Sequence, residues 1–221
     1  MKTRLTRRAV AVSALLGLLL LAFTPAFADT ALYDNGPING TLSAWTINNG
    51  FSVADSFTLS NASTVSSFSA GLWLFPGDVP TSASWAIISG VPFSSEMVLA
   101  SGNGNFTNTL LPQNSFGFDL YTSLMGIPSV SLGAGTYYLE LYNASTPSGD
   151  PIYWDINNGS STAYENTLGN VNDNLFPGTN SEAFTINGTA TTAATPEPGT
   201  CLMFGTGALG LMGALRRRFS I

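Results

Sequence analysis

All seven basic residues of this 221-residue chain lie at its two ends. Lys2, Arg4, Arg7 and Arg8 open it, and Arg216, Arg217 and Arg218 nearly close it. Between Asp29 and Thr195 there is no Lys and no Arg, whereas twelve of the thirteen acidic residues fall there. A body without cations forms no internal salt bridge and cannot neutralise phosphates, which argues against nucleic acid as a partner. Its one-signed charge keeps it soluble and repels other anions. The chain has no His, so the commonest general base and metal ligand is missing. The single Cys, Cys201, rules out an internal disulfide framework and a Cys-rich zinc site.

With charge removed as an organising force, apolar patterning must specify the body, residues 29–194. Its period is two rather than 3.6. Phe51, Val53, Asp55, Phe57 and Leu59 share one face of a predicted strand, and Ser52, Ala54, Ser56 and Thr58 share the other. Tyr137, Leu139 and Leu141 alternate with Tyr138, Glu140 and Tyr142. Further strands are predicted at Val65–Phe75, Ser84–Ile88, Met97–Ala100, Phe116–Thr122, Ile152–Ile156 and Glu182–Ile186. Asp34-Asn35-Gly36, Asn39-Gly40, Asn49-Gly50, Pro76-Gly77-Asp78, Asn158-Gly159 and Asn187-Gly188 read as turns, because Asn and Gly tolerate positive φ. About nine or ten short strands punctuated in this way predict an all-β fold, an antiparallel β-sandwich or jelly roll. The length suffices for one core without disulfides.

The ends read as targeting segments. Residues 1–8 are basic, Ala9 to Phe23 is apolar, and Pro25-Ala26-Phe27-Ala28 follows. This is the layout of a secretory signal peptide, residues 1–28, with small residues at Ala26 and Ala28 and cleavage after Ala28 by signal peptidase. The apolar run is shorter than the roughly 20 residues of a spanning helix. Thr6-Arg7-Arg8 hints at twin-arginine export. Val10 and Ala11 stand where that signal has larger apolar residues, so the general secretory route is expected.

Residues 195–221 open with Thr195-Pro196-Glu197-Pro198, continue as an uncharged run from Gly199 to Leu215, and reach Arg216-Arg217-Arg218. As a helix, 199–215 is roughly 25 Å long, close to the thickness of a hydrocarbon core. A basic cluster directly after it acts as a cytoplasmic stop-transfer signal, so the body is expected outside the inner membrane. Pro196 and Pro198 deny helix at the junction and keep that stretch extended. Cys201 reads as a small packing residue within the span.

The order Pro-Glu-Pro, apolar span and terminal arginines resembles the PEP-CTERM sorting signal of Gram-negative bacteria. That resemblance implies recognition at Pro196, Glu197 and Pro198 by the membrane enzyme exosortase. The protein would be anchored transiently, cut, and delivered to the cell surface or beyond. Ala54–Leu59, Gly135–Leu141 and Ala183–Ile186 are similar to strands of β-sandwich ectodomains that often carry this tail. They imply a surface or exopolysaccharide-associated protein with no assigned catalysis.

The chemistry-bearing residues of the body leave several readings open. Without His, and with its only Cys in the tail, the chain excludes Ser-His-Asp and Cys-His catalysis. Glu96, Asp119, Glu140, Asp150, Asp155 and Glu165 could supply a glycosidase pair only if two of them face each other across a cleft. Asp150 and Asp155 with Asn157 and Asn158, and Asp173 with Asn170, Asn172 and Asn174, offer oxygen ligands of the kind calcium prefers. The same residues also suit turns. Trp45, Trp73, Trp85 and Trp154 are either sandwich core or sugar platforms, Trp154 with Asp155 being the leading sugar-binding candidate. Sequons at Asn39, Asn61, Asn105, Asn143, Asn158 and Asn187 are read as Asn-rich turns. The expected role is structural or adhesive, without catalysis. The alternatives are a carbohydrate-binding module, calcium-assisted or not, and a carboxylate glycosidase.

Overall fold

The computed structural model describes residues 29–167, 181–191 and Gly207. The chain divides into two units, Met1–Ala190 and Thr191–Ile221, and every strand described below lies in the first. The predicted signal helix and, Gly207 apart, the predicted membrane helix 199–215 lie outside the described residues. Among those described, no helix is long and apolar enough to cross a membrane.

Twelve strands run in the order β1 (Thr30–Asp34), β2 (Ser43–Thr46), β3 (Phe51–Leu59), β4 (Ser63–Leu74), β5 (Ser82–Ser89), β6 (Met97–Asn105), β7 (Thr107–Leu111), β8 (Asp119–Leu132), β9 (Gly135–Ser145), β10 (Tyr153–Ile156), β11 (Ala163–Thr167) and β12 (Phe184–Ala190). They form two antiparallel sheets. One has five strands in the order β11-β3-β9-β5-β6. The other has seven, with the long β4 at its centre. Along one edge of β4, β12 pairs with Ser63–Ala70 and β10 with Leu72 and Trp73. Along its other edge lies β8, which also carries β7. Strands β1 and β2 flank β12 and β10.

The alternation read from the sequence is what builds the core. Val53, Phe57 and Leu59 of β3, Trp85 and Ile87 of β5, and Leu139 and Leu141 of β9 point inward from the five-stranded sheet. Phe68, Leu72 and Leu74 of β4, Met125 of β8, Trp154 of β10, and Phe184 and Ile186 of β12 meet them from the other sheet. Each fully buried aliphatic or aromatic side chain contributes roughly 1.5–3 kcal/mol. A second, smaller cluster of Ala54, Ala86, Ile88 and Phe93 lies apart from this core, with Tyr138 and Tyr164 packed on it.

One predicted turn is found as such, and two sequence expectations change in the folded chain. The Asn49-Gly50 turn, with φ of 52° and 91°, is closed by the Phe51 N–H donating to the Asn48 carbonyl at 3.0 Å. It carries the chain from one sheet to the other rather than closing a hairpin. Asn187-Gly188 is no turn but a register shift within β12. A side chain at Gly188 would collide with the Thr64 carbonyl of β4, so the glycine serves a close backbone approach. The strand predicted from Phe116 begins instead at Asp119. Asn114 Oδ1 captures the Phe116 and Phe118 N–H groups at 3.0 and 2.9 Å, and Gly117 adopts a φ of 85°. Strands β1, β2, β7 and β11 are short, and their alternation is too brief to read.

Candidate functional site

The polar chemistry of the body gathers in two places. The first is buried between the sheets. Asp55 lies on the inward face of β3, two positions from Phe57. Glu182 precedes β12 two positions from Phe184 and bridges to Ile156 of β10. Both acids are fully buried. Asp55 Oδ2 accepts the Ser161 hydroxyl at 2.7 Å and the Glu182 N–H at 2.6 Å, and Oδ1 accepts the Ser56 N–H at 2.6 Å. Burial outweighs these three bonds and pushes the Asp55 carboxyl up to about 7. Both carboxylate oxygens of Glu182 lack a hydrogen-bond partner. Burial first, then the charges of Asp55, Asp155 and Glu165, hold its carboxyl well above the ordinary range.

An amide and hydroxyl knot surrounds the pair. Asn35 Nδ2 lies 2.6 Å from Ser161 Oγ, Ser181 Oγ and the Glu182 carbonyl, and the Tyr33 hydroxyl donates to Asn35 Oδ1 at 2.9 Å. Asn157 Nδ2 donates to the Asn35 carbonyl at 2.8 Å, and Asn157 Oδ1 accepts the Ser181 hydroxyl at 3.1 Å. A Cβ at Gly159 would come within 2.5 Å of Asn35 and Ser181, which is why the Asn158-Gly159 pair fits here.

The second place is an open cleft of about 340 Å³ lined by Leu42, Ser43, Ala44, Trp73, Phe116, Phe118 and Tyr153. The Asn114 turn presents the two phenyl rings. Phe116 stacks on Trp73 with centroids 5.8 Å apart, and Phe118 meets Tyr153 edge-on at 5.7 Å. Phe116 is 58% exposed, but the indole beneath it is only 5% exposed. Trp73 Nε1 donates to Asp155 Oδ1 at 2.5 Å. Asp155 also takes the Asn39 and Gly40 N–H groups, each at 2.9 Å, and so pins that loop. Burial raises its carboxyl, while these donors pull it back.

The sequence-predicted site residues therefore separate. Trp154 is fully buried, donating to the Ala183 carbonyl at 2.9 Å and packing edge-on against Phe184 at 5.7 Å. A ring with no accessible face cannot stack on a sugar, which corrects the reading of Trp154 as a platform. Trp85 is likewise core, and Trp45 is half-buried against it. Asp155 is held by its three protein donors and does not line the aromatic cleft. Asp150 is exposed, and Asp173 lies outside the described residues. Among the described residues, no three His, Cys, Asp or Glu side chains gather to hold a metal.

Of the remaining carboxylates, Asp119 accepts the Gly77 N–H and the Gln113 amide. Glu140 is pushed up to about 7, by burial and then by the charge of Glu96. Glu165 is raised by burial. None of them lines the aromatic cleft. Sequence reasoning placed Asp55 on the core face but did not pair it with Glu182. The signal was present: both acids are in phase with a core phenylalanine, in a body that has no cation. Ala26, Ala28, Pro196, Glu197, Pro198, Cys201, Arg216, Arg217 and Arg218 lie outside the described residues.

The fold thus defines a two-sheet, all-β body, and the comparisons define its tail. Residues 194–218 match the family model of the PEP-CTERM protein-sorting motif. That stretch contains Pro196–Pro198 and the three arginines. It marks the chain as an exosortase substrate: an exported protein anchored at its C-terminus before processing. No curated protein matches the chain.

Proposed function

We propose that this is a structural or adhesive protein of a Gram-negative cell surface or extracellular matrix, released from its tail by exosortase and without catalytic activity of its own. In this reading signal peptidase removes residues 1–28, and the helix 199–215 holds the precursor in the membrane until the cut near Pro196–Pro198. The observation that carries the sorting half is the motif match over residues 194–218. The burial of Trp73, Trp85 and Trp154 supports the structural half over the carbohydrate-binding alternative, because a sugar platform needs an open ring face.

The sorting half is tested by replacing Pro196, Glu197 and Pro198 with alanine and following the protein by mass spectrometry. The variant should stay in the membrane with Arg218 attached, while the unmodified surface form lacks it. Arg218 on the unmodified surface form would sink the processing claim. A glycan array, run with and without calcium, tests the structural half. Saturable binding that disappears in Phe116→Ala would favour the carbohydrate-binding alternative.

A further inference from the structure

We propose that Asp55 and Glu182 hold one calcium-type divalent cation between the two sheets, beside the hydroxyl oxygens of Ser161 and Ser181. Three observations converge on this pair. Glu182 is fully buried with neither carboxylate oxygen partnered, and its own N–H is tied to Asp55 at 2.6 Å. The two acids come from opposite sheets and feel each other's charge. No side chain among the described residues is basic, so no internal cation compensates them.

Two like charges buried together without a counter-ion are strongly unfavourable. The compensating charge must arrive from outside the chain, as protons or as a metal. The donors are carboxylate and hydroxyl oxygens only, with no sulfur or imidazole. That set suits a hard cation rather than zinc or copper. Two carboxylates with neutral oxygens make a site that differs from a three-acid cluster and from the loop sites read at Asp150, Asp155 and Asp173. An exported protein meets calcium at concentrations where even weak sites of Kd about 10⁻⁴–10⁻³ M fill.

The test uses the full-length chain in detergent, stripped with EDTA and titrated with calcium chloride or magnesium chloride at pH 8 and pH 5. Calorimetry should count one calcium per chain. Tm should rise by roughly 5–10 °C at pH 8 when calcium exceeds Kd a hundredfold. The rise should shrink at pH 5, where protons compete for the same oxygens. Tyr33, Tyr138, Asp155 and Glu165 are the other titratable groups that interact with the pair. Magnesium should give a smaller response, because it demands a tighter octahedron. Glu182→Gln and Asp55→Asn should each abolish the calcium response, and Glu140→Gln should keep it. No stoichiometric uptake by the unmodified chain at pH 8 overturns the proposal, even if neither variant folds. So does an undiminished shift in both Glu182→Gln and Asp55→Asn. An equal response to magnesium overturns the choice of the larger ion.

Discussion

The space between the sheets has an apolar middle and an acidic end, and the two adjoin on the same strands. Phe57 and Asp55 are neighbours on the inward face of β3, and Phe184 and Glu182 are neighbours on the inward face at the start of β12. Tyr33 touches both regions: its ring lies 6.3 Å from Phe57 and 5.6 Å from Phe184, and its hydroxyl donates to Asn35. In the middle the Trp154 indole N–H meets the Ala183 carbonyl. At the acidic end the geometry is as well ordered, yet two carboxylate oxygens are left without a donor. Equal burial therefore has opposite consequences. Apolar burial contributes stability outright, whereas the acidic end is stable only when something neutralises it.

The largest expected effect belongs to the apolar middle. Trp154→Ala should cost about 3–5 kcal/mol, since it opens a cavity and removes one of the two donors to the Ala183 carbonyl, the Gly71 N–H remaining. Urea melts would measure it, and a loss below 1 kcal/mol would mean that the middle is not the stabilising region.

The acidic end should respond to pH instead. Asp55 releases its proton near 3.8 when unfolded and at about 7 when folded. Between those values the folded state holds the extra proton. Stability is therefore full below pH 3.8 and is lost as pH rises towards 7, by at most about 1.4 kcal/mol per pH unit. Melts in EDTA across this window should show that decline, and Asp55→Asn should flatten part of it. A metal-free protein that gains stability from pH 5 to 7 would contradict the contrast.

The smallest effect concerns an acid away from that end. Glu140 of β9 lies opposite Ala54 and Ala86 in the five-stranded sheet, and its carboxyl shifts from an ordinary 4.5 to about 7. Glu140→Gln should stabilise the protein by ~1 kcal/mol at pH 8 and by much less at pH 5, just above the unfolded value, since the loss grows as pH rises from 4.5 to about 7. Urea melts at both pH values check this. A gain of equal size at pH 5 would mean that Glu140 affects stability by some route other than its charge.

Much of this was legible before folding. Strict alternation over Phe51–Leu59 and Tyr137–Tyr142 announced two strands and the residues that share each face, because a pleated strand turns every second side chain to the same side. Sequence likewise disclosed the three-part tail, since that signal is local and linear. The Asn-Gly pairs at Gly40 and Gly50 take the positive φ read from the sequence, whereas Gly188 lies within β12 and serves an approach by β4 that no local pattern encodes. Trp154 could have been platform or core, and a sheet on the other side made it core.

Chain order alone thus establishes an exported, cation-free, two-faced β-body with a sorting tail, because periodicity, composition and linear motifs do not depend on long-range contacts. Folding adds the meeting of Asp55 with Glu182, more than a hundred residues apart, and the closure of tryptophan faces by neighbouring strands. Those outcomes depend on which strands pair and which sheets stack. Register and packing set them, and neither is written in any single stretch of residues.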